Sequence, residues 1–217
     1  MQNMTIQADR QRMNRIYKYL RHVYDASRKY YLLGRDRLIA ELVCRPGEHV
    51  IEVGCGTARN LIRLQTAYPQ THFYGIDASD EMLKTASKRL KNNKLNTPVQ
   101  QGLAQDFDHY ALFGIHQPNR IIFAYALSMI PQWQAAIDHA LTLLPEGGEL
   151  AVVDFGSQAG LPRWFRAILF KWLALFGVHY RPELYEYFHQ LEAQGQGKCD
   201  IRPLYRGYAV IVRFVKI

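Results

Sequence analysis

The stretch Val50-Ile51-Glu52-Val53-Gly54-Cys55-Gly56-Thr57-Ala58, followed by Gly75-Ile76-Asp77, constrains this chain more than any other feature. A strand-like run enters a turn with two glycines, and an isolated acid follows Gly56 by 77 − 56 = 21 positions. In a strand–helix–strand unit such a turn lets the backbone approach a ligand closely. An acid ending the next strand then binds a pair of ribose hydroxyls. The spacing predicts a nucleoside-containing cofactor on an α/β sheet, without saying which one.

The rest of the chain agrees with that architecture. Strands are predicted over residues 49–53, 72–76, 98–101, 119–125 and 148–154, with helices over 59–67, 80–92, 107–112 and 133–144 between them. Such alternation makes a parallel sheet covered by helices on both faces. A helix over 181–193 is followed by strand signals at 199–204 and 208–216 around Arg206-Gly207, which read as an antiparallel hairpin added to the sheet. Before the sheet, Met13, Ile16, Tyr17, Leu20, Val23 and Tyr24 form one stripe of a helix over about 7–31; Gly34 stops it, and a second helix runs over 36–44.

Composition narrows the class. With 217 residues, 48% of them hydrophobic, the chain suits one globular domain with a sizeable core. Cys44, Cys55 and Cys199 are scattered without CxxC or Cys/His ligand spacing, which argues for a reducing compartment and against structural zinc, so no metal is expected. The N-terminus lacks the apolar segment of a signal peptide, so a cytosolic start is expected. The net charge is +8, and Arg10, Arg12, Arg15, Lys18, Arg21, Arg28, Lys29, Arg35 and Arg37 crowd the first forty residues. A basic surface attracts anionic lipid and nucleic acid alike.

The details of the turn select the cofactor. A dinucleotide fingerprint needs glycine where Arg59 stands, and no Gly-Lys-Ser/Thr ending of a phosphate loop is present. What remains, Glu52-x-Gly54-x-Gly56-x-Ala58, resembles the first motif of class I S-adenosylmethionine-dependent methyltransferases, with the small Ala58 in place of the third glycine. The resemblance implies a Rossmann-like α/β fold: a seven-stranded, mostly parallel sheet with an antiparallel C-terminal hairpin strand and an N-terminal helical lid. It implies S-adenosyl-L-methionine as cofactor, with Glu52, Gly54, Cys55 and Gly56 at its aminoacyl part and Asp77 and Ala78 at its ribose. At the adenine end, Leu103 packs on the ring while Ala104 or Gln105 approaches the exocyclic amine. Met82 covers the adenine face or fills the core.

The acceptor is read from the stretch after the fourth strand, Ala124-Tyr125-Ala126-Leu127-Ser128-Met129-Ile130-Pro131. It lacks the Asn/Asp-Pro-Pro-aromatic motif of enzymes that methylate nucleic-acid bases, so no nucleic-acid partner is expected. An aliphatic amine gains positive charge on methylation, and an aromatic face stabilises such charge. Tyr125, with Tyr24, Tyr30 and Tyr31 from the lid, fits that need. Residues 161–177, rich in Trp, Phe and Leu and interrupted by Arg166 and Lys171, suit a helix lying in a membrane interface or buried in a protein contact.

Residues Tyr24 to Arg37, together with Ala126 to Pro131, Val153-Asp154-Phe155-Gly156 and Trp164-Phe165-Arg166, resemble the bacterial betaine-lipid N-methyltransferases. That resemblance implies three methylations of the homoserine amine of diacylglycerylhomoserine, giving diacylglyceryl-trimethylhomoserine. It also implies that Tyr31 and Arg35 reach the cofactor, Arg35 toward its carboxylate. Tyr31, Tyr125 and Ser128 become the candidate catalytic residues, with water or Asp154 as other routes for the amine's proton. A single domain follows: lid 1–45, cofactor core 46–156, acceptor- or membrane-facing insertion 157–197 and hairpin 198–217. The expected setting is the inner face of a membrane, with an aminocarboxypropyl transferase upstream. Phosphatidylethanolamine, a quinone or another small molecule is the alternative acceptor. A non-catalytic membrane- or RNA-binding protein is the alternative of another class.

Overall fold

Central strands buried on both faces need runs of apolar residues; β4 (Arg120–Ala124) and β5 (Glu149–Phe155) supply Ile121–Ala124 and Leu150–Val153, and β1 (His49–Val53) is apolar apart from His49 and the buried Glu52. The computed structural model describes residues 31–175 and 177–217, with the backbone alone at Leu175. In it these strands lie side by side with β2 (His72–Asp77), β3 (Val99–Gln101), β6 (Gly197–Leu204) and β7 (Ala209–Lys216) in the order β3-β2-β1-β4-β5-β7-β6. The first five are parallel; β7 runs antiparallel between β5 and β6. Fold class and hairpin are as expected. The predicted helix over 7–31 and the lid tyrosines Tyr24 and Tyr30 lie outside the described residues.

Side chains alternate between two cores. Val50, Ile122, Ala151 and Val153 face one cluster with Leu61, Leu64, Met82 and Leu90, whereas Ile51, Phe123, Leu150 and Val152 face another with Trp133, Ile137 and Phe188. The first cluster is covered by α1 (Arg35–Glu41), α2 (Arg59–Ala67) and α3 (Asp80–Asn92); the second by α5 (Trp133–Leu143) and α7 (Glu183–Ala193), with the short α4 (His109–Phe113) near the edge. α6 (Arg163–Leu175) fills the connection between β5 and α7.

Local chemistry explains where the elements differ from their predicted ends. The strand predicted to 125 stops at Ala124, because Tyr125 takes a left-handed φ of 59°. The helix predicted from 107 starts at His109, because the Asp108 carboxylate accepts the N–H groups of Tyr110 and Ala111 and caps it there. The helix predicted to 44 ends at Glu41, and Val43 follows with φ 46°. Gly34 has φ 85°, and a Cβ there would stand 3.0 Å from Leu204 Cδ1 and 3.3 Å from Val153 Cγ2, so glycine lets the entry to α1 lie against the sheet. At the other end of the strands, Arg120 bridges Glu48 and Glu149 while Arg213 also binds Glu149, which ties β4, β5 and β7 together.

Candidate active site

The site forms where the parallel strands end. Gly54 N–H and Cys55 N–H both donate to the Ile76 carbonyl, at 2.7 and 2.9 Å, which pins the turn after β1 to the end of β2. Gly54 has φ 75°, and a Cβ on it would lie 2.7 Å from the Ala126 Cβ, so the turn can pass the β4 loop only as glycine. Ala58 also adopts the left-handed conformation, φ 61°, directly before α2. Asp77 is buried; Gly56 N–H donates to its Oδ2 at 2.8 Å and Ser79 N–H to its Oδ1 at 2.9 Å. An acid at the end of the second strand of such a unit is the position that binds a ribose.

Glu52 stands beneath the turn. Asn60 Nδ2 donates to its Oε1 at 2.7 Å, while its Oε2 is buried with no partner. Burial pushes the Glu52 carboxyl up to about 7, against the pull of Asn60 and of the Arg35 and Arg59 charges. A cleft of about 660 Å³ opens over this acid and the turn, with Arg35, Gly54, Cys55 and Gly56 in its wall. Arg35 is itself buried, its Nε donating to the Leu32 carbonyl at 3.1 Å. Arg59, the residue that breaks the dinucleotide fingerprint, forks onto Asp36 of α1 with two contacts of 2.9 Å, and this pairing holds the Asp36 carboxyl below its ordinary range. Sequence reasoning read Arg59 only as an exclusion and missed Asn60 altogether. The i, i+8 spacing of Glu52 and Asn60 across a strand–turn–helix gives no periodic signal.

Beside the cleft lies a group of rings. Tyr125 donates its hydroxyl hydrogen to the Leu33 carbonyl and sets its ring edge-on to Phe155, with centroids 4.7 Å apart. Tyr31 stacks with Phe155 at 6.4 Å and meets Trp172 of α6 edge-on at 4.8 Å. Tyr208 completes the group, 6.1 Å from Phe155, with its hydroxyl donating to the Tyr31 carbonyl at 2.8 Å. Burial, with the Asp154 charge second, raises the Tyr125 phenol well above its ordinary range, so it remains protonated at neutral pH. Ser128 N–H donates to Asp154 Oδ2 at 3.0 Å and Phe155 N–H to its Oδ1 at 2.8 Å. Burial still pushes that carboxyl up to about 6, because the two N–H donors offset only part of the desolvation.

The predicted residues thus fall into three groups. Glu52, Gly54, Cys55, Gly56 and Arg35 line one cleft. Tyr31 and Tyr125 share the ring cluster, with Ser128 behind them on Asp154. Asp77, bonded to the turn through Gly56, Ala78, whose carbonyl accepts from Gln101 Nε2 at 3.1 Å, and Met82, Leu103 and Ala104 lie outside the wall of that cleft. Met82 is buried among Leu61, Leu83 and Ala86, and Ala104 in the opposite core. Phe155, Trp172 and Tyr208 were not predicted as site residues; they come together only through the β5–β7 pairing and the return of α6.

A glycine turn with no room for a Cβ, a buried acid at the end of β2 and a cleft-lining glutamate with an unpartnered carboxylate oxygen all suit a cofactor with ribose hydroxyls and an ammonium group. A family model described as a methyltransferase domain matches residues 45–190. The chain belongs to that methyltransferase family. It is 24% identical over 187 residues to the demethylmenaquinone methyltransferase of Listeria welshimeri, covering 82% of this chain and 77% of the relative. The Staphylococcus carnosus demethylmenaquinone methyltransferase is 24% identical over 210 residues, covering 92% and 85%. Among solved structures, a methyltransferase from Thermotoga maritima described as a possible histamine N-methyltransferase superposes with a TM-score of 0.67 at 16% identity, covering 94% of this chain and 100% of that one. Magnesium protoporphyrin IX methyltransferase from Synechocystis PCC 6803, with SAH bound, gives 0.66 at 20% identity over 97% and 94%. These two structures share the fold.

This methyltransferase uses S-adenosylmethionine, whose sulfonium supplies an activated methyl group. The residues that would hold it are the Gly54–Gly56 backbone, Asp77 for the ribose, and Glu52 with Arg35 for the amino-acid end. The protein's own work is then to align the nucleophile and exclude water.

Proposed function

We propose that this methyltransferase transfers methyl groups to the amine of a lipid headgroup, with diacylglycerylhomoserine as the acceptor and the trimethylated betaine lipid as product. The observation that carries this reading is the ring cluster of Tyr31, Tyr125, Phe155, Trp172 and Tyr208 beside the cofactor cleft. An aromatic wall favours an amine whose charge becomes permanent as methyl groups accumulate, by roughly 0.5–2 kcal/mol per well-placed ring. Asp154, protonated more readily than an exposed acid, is a candidate to take the amine's proton, alongside Tyr125, Ser128 and water. The wider setting proposed is the inner membrane face, downstream of an enzyme that installs the aminocarboxypropyl group.

A second reading is methylation of a lipid-soluble quinone ring, and the demethylmenaquinone methyltransferases among the relatives favour it. The same rings would stack on a flat aromatic acceptor.

One assay separates them. Purified protein is incubated with methyl-labelled S-adenosylmethionine and, in parallel, diacylglycerylhomoserine, phosphatidylethanolamine or a demethylmenaquinone in mixed micelles. Label in the mono-, di- and trimethyl betaine series is the expected result. Label confined to the quinone or to phosphatidylethanolamine overturns the amine assignment made here.

A further inference from the structure

α6 leaves an apolar stripe in water. Trp164 is 67% exposed, Ile168 62% and Phe165 37%, all within the first half of a thirteen-residue helix. Spacings of one and four residues put these side chains on a single face, and Trp172, at i+8 from Trp164, continues the same stripe. Leu173, half a turn from Trp164 around the helix, is the buried residue that anchors α6 to the core. A tryptophan, a phenylalanine and an isoleucine held in solvent together are costly unless something covers them.

The charge around the stripe says what covers it. Between Asp154 and Glu183 the chain has no Asp or Glu, while Arg163, Arg166, Lys171 and Arg181 all fall there. Arg163 and Lys171 are exposed on α6 and Arg166 is partly so. Apolar side chains flanked by unopposed cations complement a surface that is anionic outside and hydrocarbon beneath. No helix among the described residues is long and apolar enough to cross a membrane, so α6 would lie along such a surface rather than through it.

We infer that the Trp164–Phe165–Ile168 face of α6 docks on an anionic lipid bilayer, with Arg163, Arg166 and Lys171 contacting the headgroups. The docking surface is continuous with the site: Trp172, one turn beyond Ile168, or about 6 Å along the axis, touches Tyr31 of the ring cluster. An amphiphile could pass from the bilayer along the helix to the rings without its acyl chains entering water. The inference goes beyond the acceptor assignment and stands whichever lipid-soluble acceptor is methylated.

The full chain is tested by co-sedimentation with vesicles of phosphatidylcholine alone or with phosphatidylglycerol added. Binding should rise with the anionic fraction, by about fivefold for each cation engaged. The variant Trp164→Ser/Phe165→Ser/Ile168→Ser should lose more than about tenfold in vesicle affinity, with unchanged melting temperature and S-adenosylmethionine affinity. Should that variant fail to fold, quenching of tryptophan emission by brominated lipid decides instead. Quenching is expected in the native chain and should fall in Trp164→Phe to the remainder contributed by the half-buried Trp172, because Trp133 is buried. Absence of vesicle binding, binding untouched by the substitutions, or a face that instead joins two copies of the chain in sedimentation would each overturn the inference. Methylation of a micellar acceptor, measured without vesicles, reports on the acceptor assignment separately.

Discussion

The carboxylate of Asp77 accepts the backbone N–H of Gly56 at 2.8 Å, so the acid that ends β2 is bonded to the middle of the turn that follows β1. One side chain therefore shapes the glycine turn and stands where a ribose is bound in a strand–helix–strand unit. Asp77→Ala should weaken S-adenosylmethionine binding by about ten- to a hundredfold, since hydrogen bonds to a charged group are worth roughly 1.5–3 kcal/mol. Titration calorimetry measures this, and an affinity within twofold of the native value would show that the acid serves the turn alone.

Gly54 and Ala58, two of the three left-handed positions of the turn, should respond in opposite directions. Gly54→Ala meets both an unfavourable φ and the Ala126 methyl group, so it should lower stability by about 2 kcal/mol or more. Ala58→Gly removes the strain of a φ of 61° and should raise stability by roughly 1 kcal/mol. Thermal unfolding of the two variants compares them directly; a loss in both would mean that Ala58 is held by packing stronger than its strain.

Glu52 gives the stability a pH dependence of defined sign. Its carboxyl, pushed by burial from an ordinary 4.5 to about 7, holds a proton that the unfolded chain has already released across that interval. The stabilisation is complete below about 4.5 and is lost as the pH rises through about 7. Asp154 adds the same sign between 3.8 and about 6. His49, lowered chiefly by burial, acts the other way near neutrality, so the signal is the difference between two proteins. Glu52→Gln should flatten the fall in melting temperature between pH 5 and pH 8 by several degrees. Equal slopes in differential scanning calorimetry would mean that Glu52 is already ionised in the folded chain.

In the proposed function Trp172, edge-on to Tyr31, serves the acceptor. Trp172→Ala should raise the KM for the lipid acceptor about tenfold, the worth of roughly one aromatic contact. The Kd for S-adenosylmethionine should stay within twofold. A parallel loss in both would place Trp172 in the support of Tyr31 and the lid instead.

Local signals carried the sheet. The doubly buried runs of β1, β4 and β5 and the glycine turn are written in neighbouring residues, and the 21-residue spacing reports the length of one strand–helix–strand passage. Element ends were less legible: the stop of β4 depends on the left-handed Tyr125, a conformation unusual for any residue with a side chain. The ring cluster was legible only for Tyr31 and Tyr125. Phe155, Trp172 and Tyr208 reach it from positions 17 and 36 residues apart, and tertiary packing alone joins them. Arg59 illustrates the same limit, because its partner Asp36 lies 23 residues away on a helix the motif does not mention.

The strand order has a consequence for how the molecule is made. β7 is last in sequence among the seven strands, yet it sits between β5 and β6 and pairs with both along its whole length. Until residues 209–216 have been synthesised, β5 has a bare edge and the ring cluster lacks the wall that Tyr208 supplies. A ribosome that has not yet delivered this segment thus holds an open hydrophobic sheet, and over that interval the nascent enzyme is exposed to aggregation and in need of chaperones.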